Sequence, residues 1–208
     1  MAYSEFDVVA AETKLGVQIL VGAVFPPLVP VTVPSWLSDT LGRGNQLRVE
    51  SEKARNEFIV AAILLAVREL SGNALAIFSG ESFDVDRSAG LCGEVDFLLT
   101  LSQPSPSPSL PIIRAPVICI DEAKRQDIAG GIGQCIAQMV AAQRFNDRNG
   151  RPNARVYGCV TTGEDWQLLR LDESIITYDT GRLYRNDIGR ILAAFLQVVV
   201  ENKALVAA

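Results

Sequence analysis

A glutamate and a lysine stand two positions apart at the end of an apolar run, in Glu122-Ala123-Lys124. Residues i and i+2 of a strand project to the same face of a sheet, so these two charged groups are expected to project together. A second acid, Asp96, lies within the apolar stretch 93–101, where an isolated carboxylate is costly unless it is paired or bound to a metal. Two carboxylates on adjacent strands could hold Mg²⁺, and the ammonium could orient water or stabilise charge developing on a phosphate.

A helix predicted over residues 50–70 offers a third acid. At about 100° per residue, Glu52 falls on the apolar stripe that contains Ile59 and Ile63, so we expect Glu52 to point towards the sheet. Glu57 falls about 140° away and is expected nearer to solvent. The alternative for any of these acids is a residue favoured at a helix start by the helix dipole.

Composition removes several classes of catalyst. The chain of 208 residues contains no histidine, which excludes Ser-His and Cys-His catalysis and histidine-bound zinc. Its four cysteines form no CxxC pair, and we interpret them as reduced core thiols. No apolar run reaches the roughly 18 residues of a membrane helix, and the first residues lack a signal-peptide pattern. We therefore expect a cytoplasmic protein without a membrane partner.

The elements that must position these residues follow from periodicity and turn signals. We expect an irregular, proline-rich extension over residues 1–45 that packs on the core of one α/β domain over 46–208, with a mixed sheet between helices. The predicted helices are 36–42, 50–70, 127–146 and 184–203, and the predicted strands are 74–79, 82–86, 93–101, 116–123, 154–162, 165–171 and 174–178.

The predicted helix 127–146 and the loop after it carry further candidates. Gln134 and Gln138 lie one turn apart beside the apolar stripe, either as site residues or as ordinary polar neighbours of the core. Arg144, Arg148 and Arg151 could touch phosphates at the rim of a DNA cleft, and the alternative is a solvated loop.

The motifs and their order resemble the PD-(D/E)xK nuclease superfamily. They are more closely similar to small uncharacterised endonuclease-like proteins common in cyanobacteria, over about residues 50–200. The matching segments are Ser51-Glu52, 93–97 ("GEVDF"), 122–124 ("EAK"), 133–139 ("GQCIAQM") and 157–166 ("YGCVTTGEDW"). One departure is that Glu94-Val95 stands where the superfamily signature has its proline.

The resemblance implies a restriction-endonuclease-like α/β/α sandwich with an αβββαβ core, and a Mg²⁺ or Mn²⁺ site. Its acidic ligands would be Glu52, Asp96 and Glu122, with Lys124 as the water-orienting or transition-state group. Gln134 would support the site. Beyond the resemblance, we expect Gln138, Arg144, Arg148 and Arg151 to contact substrate. We expect metal-dependent hydrolysis of DNA phosphodiester bonds, with a homodimer as the expected assembly. The alternative is a non-catalytic nucleic-acid-binding or regulatory protein that retains the fold.

Overall fold

The computed structural model describes residues 2–44, 46–47, 49, 51–101, 112–123, 127–152 and 154–207, and it describes the backbone alone at 120–123. The helices are α1 (Val8–Leu15), α2 (Ser35–Gly44), α3 (Glu52–Arg55), α4 (Ala61–Leu70), α5 (Ala129–Arg148) and α6 (Ile188–Ala207), with a π-helical turn, Asn56–Val60, joining α3 to α4. The strands are β1 (Gln18–Gly22), β2 (Leu75–Ser82), β3 (Glu94–Leu101), β4 (Val117–Ala123), β5 (Val156–Thr161), β6 (Asp165–Asp172), β7 (Ile175–Asp179) and β8 (Leu183–Tyr184).

The strands of the described residues form one mixed eight-stranded sheet in the order β1-β7-β6-β5-β4-β3-β2, with β8 pairing with β6. The β1–β7 and β4–β5 pairs are parallel, whereas β2–β3, β3–β4, β5–β6 and β6–β7 are antiparallel. The strand β4 therefore lies in the interior of the sheet, as its apolar sequence predicts.

Helices cover the sheet from two sides and build two hydrophobic cores. One core joins α2, α4 and α6 to side chains such as Leu99 and Cys159. The other joins α1 and α5 to side chains such as Leu98 and Val160. Neighbouring residues of one strand belong to different cores because successive side chains of a strand point to opposite faces. The predicted α/β class with a mixed sheet between helices is confirmed.

The N-terminal region differs from the predicted irregular extension. It contains α1 and α2, and β1 extends the sheet by pairing in parallel with β7. Periodicity missed β1 because a five-residue strand becomes recognisable only through its long-range partner, which lies more than 150 residues away. The side chains of Phe6 and Phe25 are buried, so residues 2–44 belong to the folded unit.

Further differences concern element bounds. The predicted strand 82–86 is wrong, because β2 ends at Ser82 and the chain enters a loop in which the Phe83 N–H donates to the Gly93 carbonyl (2.8 Å). The predicted helices 127–146 and 184–203 begin later, at Ala129 and Ile188. No helix of the described residues is long and apolar enough to cross a membrane.

Candidate functional site

Strand register brings two of the predicted acids to one edge of the sheet. Phe97 of β3 pairs with Asp121 of β4, and Leu98 pairs with Ile120. One residue further along the same antiparallel register, the backbone position of Asp96 comes opposite that of Glu122. Asp96 is partly buried near the start of β3, and Glu122 is the last residue but one of β4, paired with Val160 of β5. The two acids therefore occupy facing backbone positions on adjacent strands.

The helix over this edge contacts the strands on both sides of β4. The Asn56 amide nitrogen donates to a carboxylate oxygen of Asp96 on β3 (3.2 Å). The neighbouring Arg55 guanidinium donates to the carbonyl of Thr162, just after β5. Because β4 lies between β3 and β5, these two bonds hold the helix across the end of β4.

Two adjacent residues reach the sheet from the junction of two helical elements, Arg55 at the end of α3 and Asn56 at the start of the π-helical turn. In a regular α-helix they would point about 100° apart, and single π-turns recur at functional sites. Ile59 of the same turn packs on Gly163, where an added Cβ would lie 3.3 Å from the Ile59 Cδ1. Gly163 has φ +82, which favours glycine at that turn.

Glu52 lies at the N-terminus of this helical segment. The Ser51 hydroxyl caps the helix by accepting from the Ala54 N–H (3.0 Å), and Glu52 is exposed. The Asn56 N–H donates to the Glu52 carbonyl, so Glu52 lies one turn from the residue that contacts Asp96. Glu57, as expected, is exposed and pairs with Lys53 (3.8 Å). Because Glu52 is exposed as well, exposure does not separate the two acids as the helical period predicted.

The turn between β5 and β6 is tightly hydrogen-bonded beside this edge. The Thr161 hydroxyl accepts from the Gly163 N–H (2.9 Å) and donates to the Asp165 carbonyl (2.8 Å). Arg185 donates to a carboxylate oxygen of Glu164 (2.6 Å). These bonds give the Thr162 carbonyl, which accepts from Arg55, a fixed position.

The two glutamines of α5 differ in exposure. Gln134 is partly buried in the second turn of α5, on the helix that directly follows β4. Gln138 has no exposed surface, so direct contact with a nucleic acid is closed to Gln138 in this conformation. An ordinary polar neighbour of the core, the alternative considered from the sequence, describes Gln138 better.

The predicted substrate arginines lie away from this edge. The helix α5 runs back along the sheet, and Asn146 near its end accepts from the Val117 N–H (2.7 Å) at the opposite end of β4 from Glu122. Arg144 follows Gln134 by ten residues, about 15 Å along the helix. It forms an ion pair with Asp86 (2.9 Å), so the structure does not bring it to the acidic edge.

Arg148 and Arg151 lie still further along the chain. Arg148 donates to the Val85 carbonyl (2.6 Å). Arg151 follows the end of α5 and lines a surface cavity of about 380 Å³ together with Arg114 and Asn149. The sequence left open phosphate contacts at the rim of a DNA cleft or a solvated loop. Neither describes Arg144 and Arg148 in full, because both are helix residues held by specific contacts.

Lys124 lies outside the described residues, and Glu122 is described by its backbone alone. Among the described residues, no group of three or more His, Cys, Asp or Glu side chains could hold a metal ion.

The donor atoms that are described are of the type that Mg²⁺ prefers. Asp96 supplies carboxylate oxygens, and the Asn56 side-chain oxygen is buried beside it without a hydrogen-bond partner in the described part of the chain. Oxygen ligands and water form the usual Mg²⁺ shell. The residues present therefore fit a hard divalent cation in their chemistry.

Sequence reasoning missed Asn56 and Arg55. At about 100° per residue Asn56 falls about 40° from Glu52, on the same stripe as Ile59, but an amide there was not considered beside the acids. A polar pair inside the run "EKARNEFIV" was the available signal, since buried polar groups are kept where they have partners.

No protein-family model and no curated protein matches the chain.

Proposed function

We propose that this protein is a Mg²⁺-dependent nuclease of the restriction-endonuclease-like fold that hydrolyses DNA phosphodiester bonds. The observation that carries the proposal is the β3–β4 register, which pairs Phe97 with Asp121. Continued by one residue, it brings the backbone positions of Asp96 and Glu122 opposite each other. Facing positions of an antiparallel pair share one face of the sheet. Lys124 then follows Glu122 at the spacing that keeps both on that face.

The order of elements supports this fold. From Glu52 onwards the chain runs through the α3–α4 helical segment, β2, β3, β4, α5 and β5. This order corresponds to the αβββαβ core that the sequence resemblance implies. The helical segment and α5 contribute to different hydrophobic cores, which agrees with an α/β/α sandwich.

The chain's own residues would bind the cation and orient the reactants. Asp96, Glu122 and Glu52 would hold Mg²⁺, or Mn²⁺ in its place. When bound, the cation supplies a Lewis acid that polarises the scissile phosphate. Lys124 would orient the attacking water and stabilise charge on the phosphate, and Gln134 would support this arrangement from α5. The water would attack phosphorus and lose a proton to solvent, the bond between phosphorus and the 3′ oxygen would break, and the leaving 3′ oxygen would take up a proton from solvent.

A non-catalytic nucleic-acid-binding or regulatory protein with the same fold is the second candidate. Two observations favour it. The net charge of −5 is unusual for a protein that binds DNA broadly, and Arg144 and Arg148 are engaged with Asp86.

A cleavage assay separates the two candidates. Purified protein is incubated with single-stranded, double-stranded and supercoiled DNA, with Mg²⁺, Mn²⁺ or chelator. We expect metal-dependent cleavage that falls about 10²–10³-fold in Asp96→Asn and in Lys124→Ala, because each loses electrostatic stabilisation of the reacting phosphate. Asp39→Asn, an exposed acid on α2, is the matched control and should cleave like the wild type.

Intact substrates under every metal condition would overturn the nuclease assignment in favour of the non-catalytic candidate. Unchanged cleavage by both site variants would retain a nuclease but reject these residues as its site.

A further inference from the structure

We propose that Asn56 is a positioning residue that orients the Asp96 carboxylate for cation binding, which rests on the nuclease function proposed above. Their contact joins the helix to the start of β3, with 3.2 Å between the Asn56 Nδ2 and the Asp96 Oδ1. An ionised carboxylate accepts hydrogen bonds and donates none, so the amide must present its nitrogen to Asp96. The contact therefore fixes the direction of both side chains.

Because the Asn56 amide directs its nitrogen at Asp96, its oxygen must find a partner elsewhere. The Asn56 Oδ1 is buried and has no hydrogen-bond partner among the described residues. A buried acceptor without a donor is rare and calls for an explanation. Mg²⁺ usually keeps several of its waters when it binds a protein, and such a water would supply the missing donor. Asn56 would then fix a carboxylate through its nitrogen and accept from the hydrated cation through its oxygen.

The neighbouring contacts restrict the movement of Asn56. Arg55 holds the same turn to the Thr162 carbonyl on the far side of β4, and Ile59 packs against Gly163. The helix is thus attached on both flanks of the strand end that carries Glu122. Residues that orient metal ligands in this way typically change metal affinity or activity by 10–100-fold when they are substituted.

The test measures Mn²⁺ binding directly, by the loss of the free-ion electron paramagnetic resonance signal and by calorimetry on the full chain. Asn56→Leu keeps nearly the same side-chain shape but removes both the donor and the acceptor. Asn56→Gln retains an amide. The matched control is Arg68→Met, because Arg68 anchors the other end of the helical segment to β2 through the Leu75 carbonyl (3.0 Å). Thermal melting shows which variants are folded.

We expect the Mn²⁺ dissociation constant to rise at least about tenfold in Asn56→Leu, to recover in part in Asn56→Gln, and to stay at the wild-type value in Arg68→Met. In the cleavage assay, the Mg²⁺ concentration for half-maximal rate should rise in Asn56→Leu while the KM for DNA stays constant. If Asn56→Leu does not fold, Asn56→Ala replaces it.

Three results would contradict the inference. Wild-type affinity for Mn²⁺ in a folded Asn56→Leu variant would reject the role of Asn56 and leave the proposed nuclease standing. Equal weakening in Asn56→Leu and Arg68→Met would assign the effect to loosened helix packing and reject the positioning role. Absence of Mn²⁺ binding by the wild type would reject the metal-dependent function itself, and the role of Asn56 with it.

Discussion

At the scale of single residues, a polar network around Glu201 lies outside the candidate site. The Tyr157 hydroxyl donates to one carboxylate oxygen of Glu201. The Arg155 guanidinium donates to the same oxygen (3.0 Å), and the Gln197 amide donates to the other oxygen. Arg155 also pairs with Asp172 (2.7 Å). Burial, followed by the hydrogen bond to Glu201, raises the pKa of Tyr157. The network joins β5 and β6 to α6.

The charge on Glu201 is predicted to stabilise the fold in a pH-dependent way. Desolvation by burial acts to raise the pKa of Glu201, but the hydrogen bonds from Tyr157, Gln197 and Arg155 outweigh it, and the pKa is lowered from its ordinary 4.5. A group with a lowered folded-state pKa stabilises the protein above its ordinary pKa, and this contribution is lost as the pH falls through the folded-state value. Glu201→Gln should therefore lower the free energy of unfolding by about 1–3 kcal/mol at pH 7.

Urea denaturation at a series of pH values measures this effect. The difference between wild type and Glu201→Gln should be largest at neutral pH and shrink below about pH 4.5. Glu81→Gln, at an exposed position of β2, is the control and should change stability by less than about 0.5 kcal/mol. A constant difference across this pH range would show that Glu201 does not stabilise the fold through its charge.

At the scale of elements, a close backbone approach joins the N-terminal segment to α5. A Cβ added at Gly133 would lie 2.5 Å from the carbonyl oxygen of Phe6, a distance at which the backbone has to shift. Gly133 opens the segment "GQCIAQM", from which the sequence resemblance was argued. The close approach of the Phe6 carbonyl explains why position 133 has no side chain.

Gly133→Ala is predicted to displace the segment Tyr3–Leu15 from α5. Alanine favours the helix itself by about 1 kcal/mol, but its methyl group cannot fit against the Phe6 carbonyl. We expect faster amide hydrogen exchange and faster proteolysis within this segment. Gly130→Ala is the matched control, because its Cβ would meet only the flexible Asp127 side chain at 3.2 Å. Equal protection of the segment in both variants would contradict the packing explanation.

At the scale of the whole molecule, residues 2–44 complete both hydrophobic cores. Tyr3, Phe6 and Val17 are buried in the core that contains α5, whereas Phe25 and Leu37 are buried in the core that contains α4 and α6. Pro30 and Val31 pack on Gly189 at the start of α6. We therefore expect the cooperatively folding unit to include residues before 46.

Deletion of residues 1–45 tests this directly. Each large apolar side chain that is removed from a core costs about 1.5–3 kcal/mol, so the loss of several approaches the 5–15 kcal/mol that stabilises a typical domain. We expect the 46–208 chain to lack a cooperative urea transition or to unfold at a much lower urea concentration. Full-length protein is the reference. An unchanged midpoint and slope would support an independent domain over 46–208.

The candidate site was only partly predictable from the sequence. Asp96 and the Glu122-x-Lys124 spacing were recognisable because strand alternation is local and reads directly from neighbouring residues. Asn56 shares the helical stripe of Glu52 and Ile59, but its partner Asp96 on β3 depends on a contact between distant segments. The arginines were proposed as phosphate contacts because basic residues cluster in this segment, yet α5 carries Arg144 about 15 Å from Gln134.

The sequence by itself determined the types and order of most elements after residue 50, and the mixed α/β class, because hydrophobic periodicity and turn residues act over a few positions. Only the tertiary structure decided that β1 joins the sheet beside β7 and that the backbone positions of Asp96 and Glu122 face each other. Strand partners and helix directions depend on contacts between distant segments, and the local pattern of residues does not specify those contacts.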